Sequence, residues 1–388
     1  MTRPAFTGRA DPRADAPRAP SLGAGRLDGL DLWRALLMLG GLFVHASMCL
    51  PSQPLFSVVG DASSAFRMGC FFAVSGLLSA MVLERREPSA WLSKRLGTLG
   101  VPAVFGILTI SPLVWALVEA TRGPAVRPAL MPFEWHHLWF LFALMLYSVG
   151  AAALHLFDRR TAAIARLDGL VARGSVAVAV LLVAAASALL LGLSPPVLEA
   201  SLAPDYAHSF RSVQQIVGFA PMFLLGFLLG RMPRLRERAV GSVGLAVAIL
   251  AAAAAAYALV KLHPAFLAHR DTVRFVMAAL CPPAAFLLIL RSALAIRRVP
   301  RIARQLADAS YTIYLLHYPL AVAFNTQLAP GMEPHLAWAA CILAAGLGSF
   351  AIHQLLVTRS PALQFVLNGK RPQRRTAAST RADTPVAA

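Results

Sequence analysis

Arg34 and His45 lie in the apolar stretch LDLWRALLMLGGLFVHAS, and their spacing puts a fixed cation and a titratable base on one helix face. At 100° per residue they fall about 20° apart around the helix and about 16 Å apart along it. That stripe suits chemistry with an anion held at one end and a proton moved at the other. The competing reading is a snorkelling arginine and a hydrogen-bonded packing histidine. Asp31 precedes Arg34 by one helical turn, where it can pair with it.

Three further segments carry polar groups in apolar surroundings. FRMGCFFAVSG places Arg67 at the start of the second apolar run, where basic residues are otherwise scarce. Arg67 either holds an anionic group in an outward-facing pocket or pairs with Asp61. Ser75 lacks the GxSxG setting of a nucleophile elbow, so Ser75-Gly76 reads as close helix packing. Glu84 ends this run beside Arg85 and Arg86, as an interfacial pair. The fourth run opens with Glu134, Trp135, His136, His137 and Trp139. Its two histidines point about 100° apart, so at most one faces a pocket. No HxxxH or HExxH spacing accompanies them, and no metal site is expected. In DASYTIYLLHYPLAVAF, Ser310, Tyr314 and His317 share a face about 60° wide. Such a stripe lines a cavity or forms a hydrogen-bonded helix contact. Pro319 can kink that helix, and Pro282-Pro283 mark a second break.

The elements that must hold these residues are transmembrane helices. Of 388 residues 58% are hydrophobic and only 14% charged, too few charges to wet a soluble domain of that size. Runs long enough to cross a hydrocarbon core fall at about 31–50, 66–83, 97–118, 138–155, 175–194, 213–230, 240–260, 273–290, 309–328 and 336–356. The net charge of +18 would suit nucleic acid, but its placement argues against that partner. Most Lys and Arg gather in alternate connections, for example Arg85, Arg86, Lys94 and Arg95, then Arg159, Arg160, Arg166 and Arg173. The intervening connections are nearly free of them. By the positive-inside rule this is an all-α polytopic integral membrane protein with about ten transmembrane helices and both termini cytoplasmic.

The expected organisation is a disordered cytoplasmic tail over 1–26, a membrane domain over 27–358, and a basic, disordered tail over 359–388. The first tail has no apolar core and does not read as a cleavable signal peptide. Cys49, Cys70, Cys281 and Cys341 lie in apolar runs and read as small buried hydrophobes. The Ala-rich runs 175–192 and 245–256 read as helix-packing surfaces.

Four segments together resemble the acyltransferase-3 family of integral membrane acyltransferases, from about Arg26 to Lys370. Arg34 and His45 match the family's basic-x10-His pattern. Residues 66–76, HLWFL (137–141) and SYTIYLLHYPL (310–320) match later motifs in order and membrane depth. The late motif often ends His-His-Pro, and this chain has His317-Tyr318-Pro319. The resemblance implies transfer of a succinyl or acetyl group from cytoplasmic acyl-CoA to a hydroxyl of a glucan or other glycan across the membrane. It implies His45 as catalytic base or acyl acceptor, with Arg34 and Asp31 on the donor. It implies Arg67, His137, His317, Tyr314 and Ser310 on the acceptor or oxyanion. Membrane lipid, acyl-CoA and the glycan are the expected partners, with no permanently bound cofactor. The rival class is a transporter or flippase in which the same stripe is an ion path. No inverted repeat is visible to support it.

Overall fold

A computed structural model describes residues 28–121, 135–171, 174–199, 207–296 and 298–370. The tail 1–26, most of 359–388, Arg122, Arg127, Arg173, Glu134 and Arg297 lie outside the described residues.

Every expected apolar run lies mostly in helix, although the first, 31–50, leaves helix after His45. The helices are α1 (Asp28–His45), α2 (Pro54–Leu83), α3 (Pro88–Phe105), α4 (Ser111–Glu119), α5 (Trp139–Thr161), α6 (Ala163–Val171) and α7 (Val176–Glu199). They continue with α8 (Ala207–Arg231), α9 (Pro233–Gly241), α10 (Val243–Leu262), α11 (Arg270–Ala295), α12 (Arg301–Gln327), α13 (Pro334–Ile352) and α14 (Pro361–Asn368). A π turn over Gly106–Ile110 joins α3 to α4 as one long rod. Pro102 lies inside α3 and Pro112 opens α4, so the turn absorbs hydrogen bonds that the prolines disrupt.

Among the described residues, eight helices are long and apolar enough to cross a membrane, which makes this a polytopic helical membrane protein. The two expected spans outside that set are α1 and α12. Each carries several charged side chains, and each packs against the other inside the bundle. The polar residues along the middle of α12, Ser310, Thr312, His317 and Asn325, are buried and so meet protein rather than lipid.

α2 is the central helix, with 72% of its apolar window buried, and α8 packs along it. Glycines allow the approach. A Cβ on Gly76 would stand 2.1 Å from the Phe223 carbonyl oxygen, and one on Gly226 would stand 1.8 Å from that of Ala73. Ser75-Gly76 thus sits at a tight helix crossing, although Ser75 itself lines a cavity. The Ala-rich runs behave differently from expectation. Only 22% of the α7 window and 11% of the α10 window are buried. Leu181, Leu182 and Val247 point outward on them, as a lipid-facing surface requires. Contact at the centre needs small residues on both helices, and alanines alone do not place a helix there.

The prolines do not interrupt their helices. α11 runs through Pro282-Pro283, and the ring of Pro282 lies against Gly69 of α2. α12 runs through Pro319. Glu84 bonds across the bundle to Arg231 (3.4 Å), and Arg231 also pairs with the buried Asp158 (2.9 Å). Cys70, Cys281 and Cys341 are buried as expected, but Cys49 is exposed, because α1 ends at His45 and a turn follows.

α13 starts from a carboxylate cap. Glu333 accepts from the Leu336 N–H (2.8 Å) and pairs with His335 (2.7 Å). Bonds from the backbone N–H and ring of His335, then from Leu336, hold its carboxyl down at about 2. The cap's stabilisation is present above the ordinary glutamate value of about 4.3 and is lost as pH falls towards 2. Thermal melts of Glu333→Gln and wild type in detergent are expected to converge across that interval and differ above it.

Candidate functional site

α1 carries three polar stations. At its first turns Arg34 pairs with Asp31 (3.4 Å) and both line a cavity of about 300 Å³. Arg95 of α3, Asp308 and Tyr311 of α12, and Asn368 and Lys370 at and just after the end of α14 also line it. The Arg95 Nε and the Tyr311 hydroxyl are buried there without hydrogen-bond partners. Unpaired buried groups cost roughly 1–3 kcal/mol each, so they commonly mark a ligand's place.

Halfway along, Arg67 reaches over from α2. Its Nε donates to Ser63 Oγ (2.7 Å) and its Nη1 to the Leu37 carbonyl (3.4 Å). Gly40 and Gly41 make room for it. A Cβ on Gly40 would be 3.0 Å from the Arg67 Cδ, and one on Gly41 would be 3.1 Å from Nη1. Of the two options for Arg67, pairing with Asp61 is not the one realised. Asp61 is taken by Arg274 (2.6 Å) and by the Tyr257 hydroxyl (2.7 Å), with Lys261 at 3.9 Å. Arg67 instead lies within electrostatic reach of His45, His317 and Tyr314.

At the far end of α1, His45 meets two more histidines. Ring centroids lie 5.2 Å from His317 and 6.4 Å from His137, and those two are 5.8 Å apart. The short turn His136–Leu138 delivers His137, and α12 delivers His317. His317 Nδ1 lies 2.9 Å from the Ile313 carbonyl, which can only accept, so Nδ1 carries the hydrogen. Its Nε2 is then a lone-pair acceptor in the neutral ring, buried and without a partner. Neither ring nitrogen of His137 has a hydrogen-bond partner either. The Tyr314 hydroxyl donates to the His137 carbonyl and so fixes that turn. Among the described residues no set of His, Cys, Asp or Glu is disposed to hold a metal ion.

Five of the expected residues, His45, His137, His317, Tyr314 and Arg67, are thus brought into one neighbourhood. Ser310 is not among them. It lies about two turns back along α12, in the Arg34 cavity, and its hydroxyl donates to the Ala307 carbonyl (2.8 Å). Of the adjacent pair, His137 packs into the cluster, while His136 stacks on the outside of Tyr318.

Four contributors escape the sequence reading: Tyr318, Arg95, Asn368 and Lys370. Tyr318 holds the cluster together, with its ring 5.0 Å from His45 and 4.6 Å from His137. Its signal was its place beside His317. By charge alone Arg95 reads as part of a basic loop, yet Trp91, Arg95, Thr98 and Leu99 recur at helical spacing, which marks an inward face. Asn368 and Lys370 sat in the supposed tail. That tail instead opens with α14, which packs against α3.

Comparison with known proteins places the chain in a family. The family model described as Acyltransferase domain matches residues 27–354. The chain is 27% identical over 387 residues to Glucans biosynthesis protein C of Salmonella typhimurium, covering 90% of this chain and 97% of that one. The protein of the same name from Salmonella heidelberg is 27% identical over 379 residues, covering 88% and 94%. No solved structure matches.

Proposed function

The chain belongs to the acyltransferase-3 family, and on that premise we propose that it is an O-acyltransferase of the bacterial inner membrane. It moves a succinyl or acetyl group from cytoplasmic acyl-CoA to a hydroxyl of a periplasmic glucan or other extracytoplasmic glycan. The name of its Salmonella relatives favours a glucan acceptor. In this reading α1 and α12 complete ten spans, with both termini cytoplasmic.

The observation that carries the proposal is that α1 and α12 pack together and both run from the cation-lined cavity to the histidine cluster, α1 through Arg34 and His45 and α12 through Ser310 and His317. Arg34, oriented by Asp31, holds donor phosphates at the cytoplasmic mouth. The pantetheine arm lies along α1 and brings the thioester towards His45. His45 takes the proton of the acceptor hydroxyl as its oxygen attacks the thioester carbonyl, then returns it to the leaving thiolate. In the covalent variant His45 itself accepts the acyl group first. Arg67, a fixed cation beside the cluster, stabilises the developing oxyanion or the free carboxylate of a succinyl group. His317 Nε2, as an acceptor, suits the glycan hydroxyl rather than the oxyanion. Tyr314 positions His137, and Ser310 belongs with the donor.

Mass spectrometry of periplasmic glycans with and without the protein tests the class. Loss of an ester substituent supports acyl transfer, whereas loss of the whole glycan from the periplasm supports transport. Arg34→Ala is expected to raise the donor KM about tenfold or more, with kcat less affected. Wild-type kinetics would mean that Arg34 only anchors its helix.

A further inference from the structure

The end of the described chain is built into the cavity that Arg34 lines. α14 is capped by Ser360, whose hydroxyl accepts from the Leu363 N–H (3.3 Å), and Pro361 follows at its first position. At its other end the Gly369 N–H donates to the Phe365 carbonyl (2.9 Å), with Gly369 left-handed at φ 60°. No side chain fits at Gly369, because a Cβ would lie 2.4 Å from the Thr98 Cα and carbonyl oxygen of α3. Next to it the Asn368 side chain is buried. Its Oδ1 accepts from Thr312 Oγ1 (3.0 Å), which also meets His353 Nδ1 (2.8 Å). These buried bonds join α12, the π turn His353–Val357 that follows α13, and α14, beside which Lys370 lines the cavity.

Three cations therefore line this cavity, Arg34, Arg95 and Lys370, against the carboxylates Asp31 and Asp308. Asp31 is turned towards Arg34. The Arg95 Nε and Tyr311 hydroxyl still lack partners. The family model ends at residue 354, so α14 and Lys370 lie outside the matched segment.

We propose that Ser360–Lys370 is a wall of the donor cavity, and that Lys370 is a binding residue for a multiply phosphorylated group. Identification of that group with the phosphates of coenzyme A rests on the acyltransfer reading above; the polyanion site does not.

The test uses the full chain in nanodiscs, with coenzyme A and inorganic pyrophosphate as separate probes and calorimetry as the readout. Lys370→Gln is expected to weaken both about tenfold, and Lys370→Arg to restore them. The gap between wild type and Lys370→Gln should narrow as salt is raised towards 1 M, a response that a merely structural role would not give. Equal affinities in wild type and Lys370→Gln overturn the proposal. So does a wild-type chain that binds neither probe. Lys370-dependent binding of pyrophosphate without binding of coenzyme A keeps the polyanion site and overturns the acyl-CoA reading instead.

Discussion

His45→Ala is expected to lower acyl transfer at least about 10²-fold, and to abolish it if the acyl group passes through the ring. Insertion and folding should be retained. His45 is the last residue of α1 and only partly buried, and its side chain makes no bond that holds two helices together. Its ring nitrogen Nδ1 lies 3.4 Å from the Met48 sulfur, and its other neighbours are the rings of His317, His137 and Tyr318. Those rings are carried by separate elements that have their own anchors. Asn325 of α12 donates to the Ala46 and Met48 carbonyls (2.9 and 2.7 Å), so the end of α1 stays pinned without the imidazole.

The measurement is turnover of a radiolabelled acyl donor, normalised to membrane-inserted protein. Persisting activity in His45→Ala would remove His45 from the catalytic role. A trapped acyl adduct on the His45 peptide of wild type would favour the covalent route. Its absence under single-turnover conditions would favour direct transfer.

The polar stations of α1 were legible in the sequence because a helix has a fixed period. Eleven residues return to nearly the same face, so Arg34 and His45 could be placed on one stripe without coordinates. The period also grouped Ser310, Tyr314 and His317, but it does not say how far along the helix a cavity extends. Ser310 and His317 share a face, yet Ser310 lines the cavity and His317 joins the histidine cluster, because about 10 Å of rise separates them. Arg67 was legible as an exception to the charge pattern. Its partner was not, since the choice of Ser63 and Leu37 over Asp61 depends on which helices flank α2. Spans were read from apolarity, and that criterion is weakest for α1 and α12, the helices that bury polar side chains in protein. The wall made by α14 was invisible for a related reason: eight residues between a basic turn and a basic tail carry little apolar signal until α3 is there to receive them.

Gly226→Ala is the substitution expected to damage the fold most. Its added methyl would stand 1.8 Å from the Ala73 carbonyl oxygen, 2.6 Å from the carbonyl carbon and 2.8 Å from the Cα. All three are backbone atoms of α2, so no rotamer change relieves the clash and the two helices must separate. The opposing strip is just as tight: Gly76 faces the Phe223 carbonyl, and a Cβ on Gly230 would lie 2.7 Å from the Ala80 Cβ. Gly226 and Gly230 thus form a small-xxx-small strip on α8 against Ala73, Gly76 and Ala80 on α2. Separating α2 from α8 also disturbs the seat of Phe72 and Phe227, both fully buried between neighbouring helices. Overpacking of this kind costs on the order of 1–3 kcal/mol, and backbone separation places this case at the upper end. A fall of several degrees in the detergent melting temperature, with less monodisperse protein on size exclusion, is the expected result. Gly60→Ala, on the same α2 but with nothing within 4 Å of its Cβ position, is the control and should melt as wild type does. A wild-type melt for Gly226→Ala would mean that α2 and α8 do not touch through their backbones. The central helix that carries Arg67 to α1 would then need a different neighbour.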